Sequence, residues 1–182
     1  MSETLKPYSM ITDFVTGTEI PNVGAEENRQ MVEKFLVIER GYAKEDIEVN
    51  VGLEISVAGQ PYRSQIDLIV CVDGNRTRFM AFKCAAASLG SREREILAAA
   101  RLLGKNQIPL SVVSDGHTAI VLDTVSGRKL GEGLDAIPSK DEAVEKLSNL
   151  DLQPFPEAKR EREGLIFRSY DSMNVNVGRN IK

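Results

Sequence analysis

The chain has 182 residues, enough for one domain with a real core, or for one domain and a tail. At 42% hydrophobic and 27% charged it reads as an ordinary soluble globular protein, and a net charge of −4 argues against a generally basic nucleic-acid binder while leaving room for a local basic groove. Trp is absent and aromatics make up only 5% of the chain, too few for an aromatic base-stacking platform. The two cysteines, Cys71 and Cys84, are too few for a disulfide framework and read as reduced core residues of a cytoplasmic protein. No apolar run approaches the roughly 18–20 residues of a membrane span. The start, "MSETLKPYSM", has neither the basic nor the apolar region of a signal peptide.

Residues 1–23, with Pro7, Gly17 and Pro21, read as an irregular N-terminal segment. "GAEENRQMVEKFLVIERGY" predicts a helix with Met31, Val32, Phe35, Leu36 and Ile38 on one stripe, Glu26 and Glu27 in its first turn, and Gly41 at its end. "IEVNVGLEISV" alternates throughout, so Ile47, Val49, Val51, Leu53, Ile55 and Val57 are expected to point one way from a half-buried strand. "QIDLIVCV" is apolar on both faces, as a central strand would be; "DGN" is a hairpin signal and "RFMAFKCA" the next strand.

Ser91 is placed to cap a helix, "SREREILAAARLLG", that packs Ile96, Leu97, Ala100 and Leu103 inward. "PLSVVS" is a strand and "TAIVLDTVSGRKL" a further strand or hairpin. Ser139 caps a short helix, "KDEAVEKLSNL". A Pro-marked linker and a charged helix occupy residues 151–182, with a loose tail; its run "EAKRERE" reads as a solvated face with pairs at i, i+4. The predicted fold is α/β: a mixed sheet with the two main helices on opposite faces, the domain spanning residues 24–150.

Two charges fall inside core strands. Asp67 shares a strand face with Ile69 and Cys71, and Lys83 shares one with Phe79 and Ala81. An unpaired charge there is costly, so the two are expected to meet, as a register-fixing ion pair or as part of a site. His117, the only His, follows a turn signal with no nucleophile motif beside it. Arg63, Arg76, Arg78, Arg92, Arg94 and Arg101 are candidates to track a phosphate backbone, or else scattered surface charges.

The order and spacing of "EENRQ", "RSQIDLIV", "AFKCAAAS" and "IPLSVVSDGHTAIVLDTVSG", over roughly residues 24–147, resemble the PD-(D/E)XK nuclease superfamily, and more narrowly the N-terminal nuclease domain of type I restriction enzyme R subunits. The resemblance implies a restriction-endonuclease-like α-β-β-β-α-β core and Mg²⁺- or Mn²⁺-dependent hydrolysis of DNA. It makes Asp67 the metal-binding acid, Lys83 the residue that orients water, the Phe82 carbonyl part of the metal cage, and Glu26 or Glu27 a contribution from the first helix. It also implies DNA and restriction–modification subunits, or a second copy, as partners. One departure stands out: Ala81 occupies the position where the family carries Glu. Either an acid of the next helix, where Glu93 and Glu95 lie, fills the gap as a metal ligand, or the site is degenerate and the fold serves as a DNA- or protein-binding module.

Overall fold

The computed structural model describes residues 8–74 and 77–172; Arg76 and the tail expected to be loose, residues 173–182, lie outside them. The segment expected to be irregular holds a short antiparallel hairpin, β1 (Met10–Thr12) and β2 (Glu19–Pro21). Its turn is built by Asp13, whose carboxylate accepts the Thr16 N–H at 2.7 Å and the Thr16 hydroxyl at 2.9 Å. This is side-chain turn chemistry that a reading of Pro and Gly overlooks.

Helix α1 (Glu26–Ile38) follows. Val32 and Leu36 are fully buried, but Ile38, expected on the same stripe, is 67% exposed. Two residues past Leu36 is about 200° around a helix, so Ile38 faces away from the core. Gly41, at φ 77°, ends the helix, and the Tyr42 N–H reaches back to the Leu36 carbonyl.

The main sheet has six strands in chain order: β3 (Ile47–Val57), β4 (Gln60–Val72), β5 (Thr77–Cys84), β6 (Leu110–Ser114), β7 (Ala119–Asp123) and β8 (Lys129–Glu132). β5 and β6 are parallel and every other neighbouring pair is antiparallel. Helix α2 (Glu93–Leu102) makes the parallel crossover. Ser91 does not cap it: the Ser91 hydroxyl donates to the Ser88 carbonyl, in a turn of 3₁₀ helix that leads into α2. Helix α3 (Lys140–Ser148) is capped by Ser139 as expected, through a reciprocal pair of bonds with Glu142.

Two apolar layers sandwich the sheet. Val32 and Leu36 of α1 meet Leu68, Val70, Phe82 and Val112 on one face. Ile96, Ala99 and Leu102 of α2 meet Ile69, Ala81 and Val113 on the other. The predicted α-β-β-β-α-β core, with its helices on opposite faces, is present. No helix among the described residues is long and apolar enough to cross a membrane.

Two strand faces depart from simple alternation. Phe79 does not share the face of Ala81 and Lys83; it packs in the α1 layer. The β4–β5 register shifts between Val70 and Cys71, so Val70 pairs with Met80 and Cys71 with Arg78, which leaves Phe79 as a bulged residue. In β3 the one-sided row breaks. Ile47 and Val49 belong to the α1 layer, whereas Val51, Leu53, Ile55 and Val57 belong to the α2 layer. Between them stands Asn50 at φ 53°, a left-handed conformation inside a strand that costs a non-glycine residue roughly 1–2 kcal/mol. β4 changes sides at the same level, with Leu68 in one layer and Ile66 in the other. Beyond this joint bend, the β3–β4 hairpin packs on helix α4 (Glu157–Ser172), whose Phe167 is buried edge-on to Tyr62.

Candidate active site

Asp67 lies at the bend. The β4–β5 ladder pairs Leu68 with Phe82, so one step further along both strands sets Asp67 opposite Lys83. The Asp67 carboxylate accepts the Cys84 main-chain N–H at 2.8 Å, and the Lys83 ammonium lies 3.7 Å from the same oxygen. From the α2 side, Glu95 brings a carboxylate oxygen to 3.1 Å from Lys83. The other Glu95 oxygen lies 3.6 Å from Arg92, one turn back on the chain. The Lys83 and Glu95 side chains are 8% and 4% exposed, so this is a nearly dry triad rather than a surface pair. Ala81, two residues before Lys83, is fully buried against α2. Glu95, on the helix that packs over Ala81, is the acid of α2 that meets Lys83.

The two acids in the first turn of α1 part company. Glu26 lines a cleft of about 480 Å³ together with Asp67, Cys84, Arg29, Asn50 and Gln65. Its carboxylate is gripped by Arg29 at 2.5 and 2.9 Å. Glu27 turns the other way, accepting from the Asn22 amide at 2.6 Å and lining a separate cleft with Thr12 and Phe14. Phe82 places its side chain in the α1 layer, so any part it plays at the site belongs to its main chain.

Arg29 organises the wall of the cleft. It is buried and also bonds Asp13 and Glu33, each at 2.7 Å. These three carboxylates outweigh the burial that would lower its pKa, and they raise it. Glu33 is fully buried; burial pushes its pKa up to about 7 against the pull of Arg29, with Asp13 adding to the rise. Asp13 is held below its ordinary value: burial opposes this, but the Thr16 bonds and Arg29 prevail. The network pins the β1–β2 hairpin onto α1, and Ile20 and Pro21 of that hairpin close the cleft. Asn28 adds a tie from α1 to the end of β5, donating to the Ala85 carbonyl at 2.7 Å.

Burial, with Asp67 nearby, lifts the Cys84 thiol well above its normal range, which removes it as a nucleophile. His117 is an exposed turn residue whose N–H bonds Asp115. Among the arginines, Arg63 lines the cleft and pairs with Glu54, and Arg92 touches the triad. Arg78 pairs with Glu48 away from the cleft, while Arg94 and Arg101 both engage Glu163. Glu163 is 6% exposed, so the run expected to be a solvated helix face carries a buried ion pair that docks α4 onto α2.

A family model described as the type I restriction enzyme R protein N terminus (HSDR_N) matches residues 24–138, from the approach to α1 to the turn after β8. The chain belongs to this family. Neither a curated protein nor a solved structure matches it.

Among the described residues no three acidic, His or Cys side chains gather into a cage, which disfavours an ion that relies on protein ligands alone. Mg²⁺ does not: it keeps several waters and uses one or two carboxylates with substrate phosphate. Asp67 and Glu95 already converge on one positive group, the Lys83 ammonium, and so fit that pattern.

Proposed function

We propose that this domain hydrolyses phosphodiester bonds of DNA with Mg²⁺ or Mn²⁺, and that Glu95 takes the place of the acid absent at Ala81. The observation that carries the reading is the convergence of Asp67 and Glu95 on Lys83, at 3.7 and 3.1 Å, from three different elements. Asp67 and Glu95 would hold the cation, with a main-chain carbonyl such as that of Phe82. The cation would supply Lewis acidity toward the phosphate and a water acidified for attack. The protein's own groups do the rest. The Cys84 N–H fixes one Asp67 oxygen and so aims the carboxylate. Lys83 orients the attacking water and offsets charge gathering on the phosphate. Glu26, held by Arg29 on the wall of the same cleft, tunes the charge around Asp67.

The experiment is cleavage of plasmid DNA with Mg²⁺ or Mn²⁺ beside an Asp67→Ala control. Nicking lost in the control supports the enzyme. A second reading, a degenerate fold that binds DNA or protein, is favoured by one observation: Lys83 acts as an internal counter-ion to both acids. No nicking together with salt-sensitive DNA binding would select it. Family membership also supports a cytoplasmic setting, with restriction–modification subunits or a second copy as partners.

A further inference from the structure

We infer that Asn50 contacts the substrate at this site, its side-chain amide donating to a non-bridging phosphate oxygen of the nucleic-acid strand seated beside Asp67. The inference rests on the nuclease reading. Among the described residues three non-glycine residues have positive φ, and two of them, Ala58 and Asp73, sit in hairpin turns, where such backbone is ordinary. Asn50, at φ 53°, is inside β3. Strained backbone inside a regular element persists only where the surroundings fix it, and it gathers at functional sites.

The location is specific. The β3–β4 ladder pairs Val49 with Leu68 and Val51 with Ile66, which sets Asn50 across from Asp67. Both residues line the cleft that also holds Arg63, Ser64 and Gln65. The Asn50 side chain is exposed and makes no hydrogen bond among the described residues. Its amide carries two N–H donors, on a residue that lines the cleft. A neutral donor suits the position. A Lys or Arg there would pair with Asp67 and compete with a cation, and an acid would repel phosphate. An amide binds an anionic oxygen without doing either.

The competing account is that Asn50 is present only because Asn tolerates the left-handed backbone that bends β3. Asn50→Gly separates the two, since glycine adopts that backbone freely and lacks the amide. Urea unfolding, anisotropy with fluorescein-labelled DNA duplexes of two unrelated sequences, measured without divalent cation, and plasmid nicking with Mn²⁺ are compared with wild type. The expected result is unchanged or higher stability with DNA affinity reduced about tenfold or more, equally on both sequences. Asn50→Asp, which also tolerates the backbone, is expected to bind more weakly still. Wild-type affinity in Asn50→Gly overturns the inference and leaves nicking by the wild type untouched. Absence of nicking with the binding loss intact overturns the nuclease reading alone. A wild type that neither binds nor nicks overturns both.

Discussion

Lys83 balances two carboxylates in a nearly dry pocket, so its loss acts twice. Lys83→Ala is expected to lower the nicking rate about 100- to 10,000-fold by removing the group proposed to orient water. It should also cost roughly 3–5 kcal/mol in urea unfolding, because Asp67 and Glu95 would face each other without their ammonium. Ala81 gives a sharper test. Moving the acid back to β5, as Ala81→Glu with Glu95→Ala, should recover part of the nicking lost in Glu95→Ala alone, since residues 81 and 83 both face α2. No recovery in a folded double variant would argue against an exchangeable acid. Asp67 and Lys83 were legible because strand alternation and a lone charge in each apolar run placed them together. Glu26 and Glu27 were not separable, because both fall in one helical turn and their choice is made by distant partners, Arg29 and Asn22. Asn50 gave no signal at all: a polar residue between two valines looks like an ordinary outward position, and its left-handed backbone leaves no mark in the alternation.

Among the elements, α1 is held at both ends of the site. At Gly116, φ 86°, an added Cβ would lie 2.6 Å from the Met31 Cβ and 3.2 Å from the Asn28 carbonyl. Gly116→Ala therefore combines backbone strain with a clash that displaces α1, and a loss of about 1–3 kcal/mol is expected in urea unfolding, with slower nicking through the shifted Asn28 tie. On the opposite layer, Phe167→Ala should cost about 3–5 kcal/mol, since the ring is 2% exposed and anchors α4 beside Tyr62. From α1 onward, element existence was legible from periodicity and turn signals, including the β3–β4 and β4–β5 hairpins and helix α2. The β1–β2 hairpin was hidden because its turn is made by the Asp13 side chain, and the role of α4 was hidden because a buried Glu163 looks, in sequence, like any charge in a charged run.

For the whole molecule, Glu33, buried against Arg29, makes stability depend on pH. Glu33 has a folded pKa of about 7 against an ordinary 4.5, so the folded state holds its proton more tightly. The stabilising contribution of Glu33 is complete below about pH 4.5 and is lost as pH rises through about 7. Glu33→Gln should flatten this part of the stability profile, read as urea midpoints across the same window; an unchanged slope would assign the dependence elsewhere. The central claim is that a helix acid completes a cation site that the strand leaves short. It is tested most directly by Mn²⁺ affinity, measured by calorimetry on wild type and Glu95→Gln. The account predicts at least about a tenfold weaker affinity in Glu95→Gln, in a protein that remains folded. Equal affinity in the two proteins would contradict it.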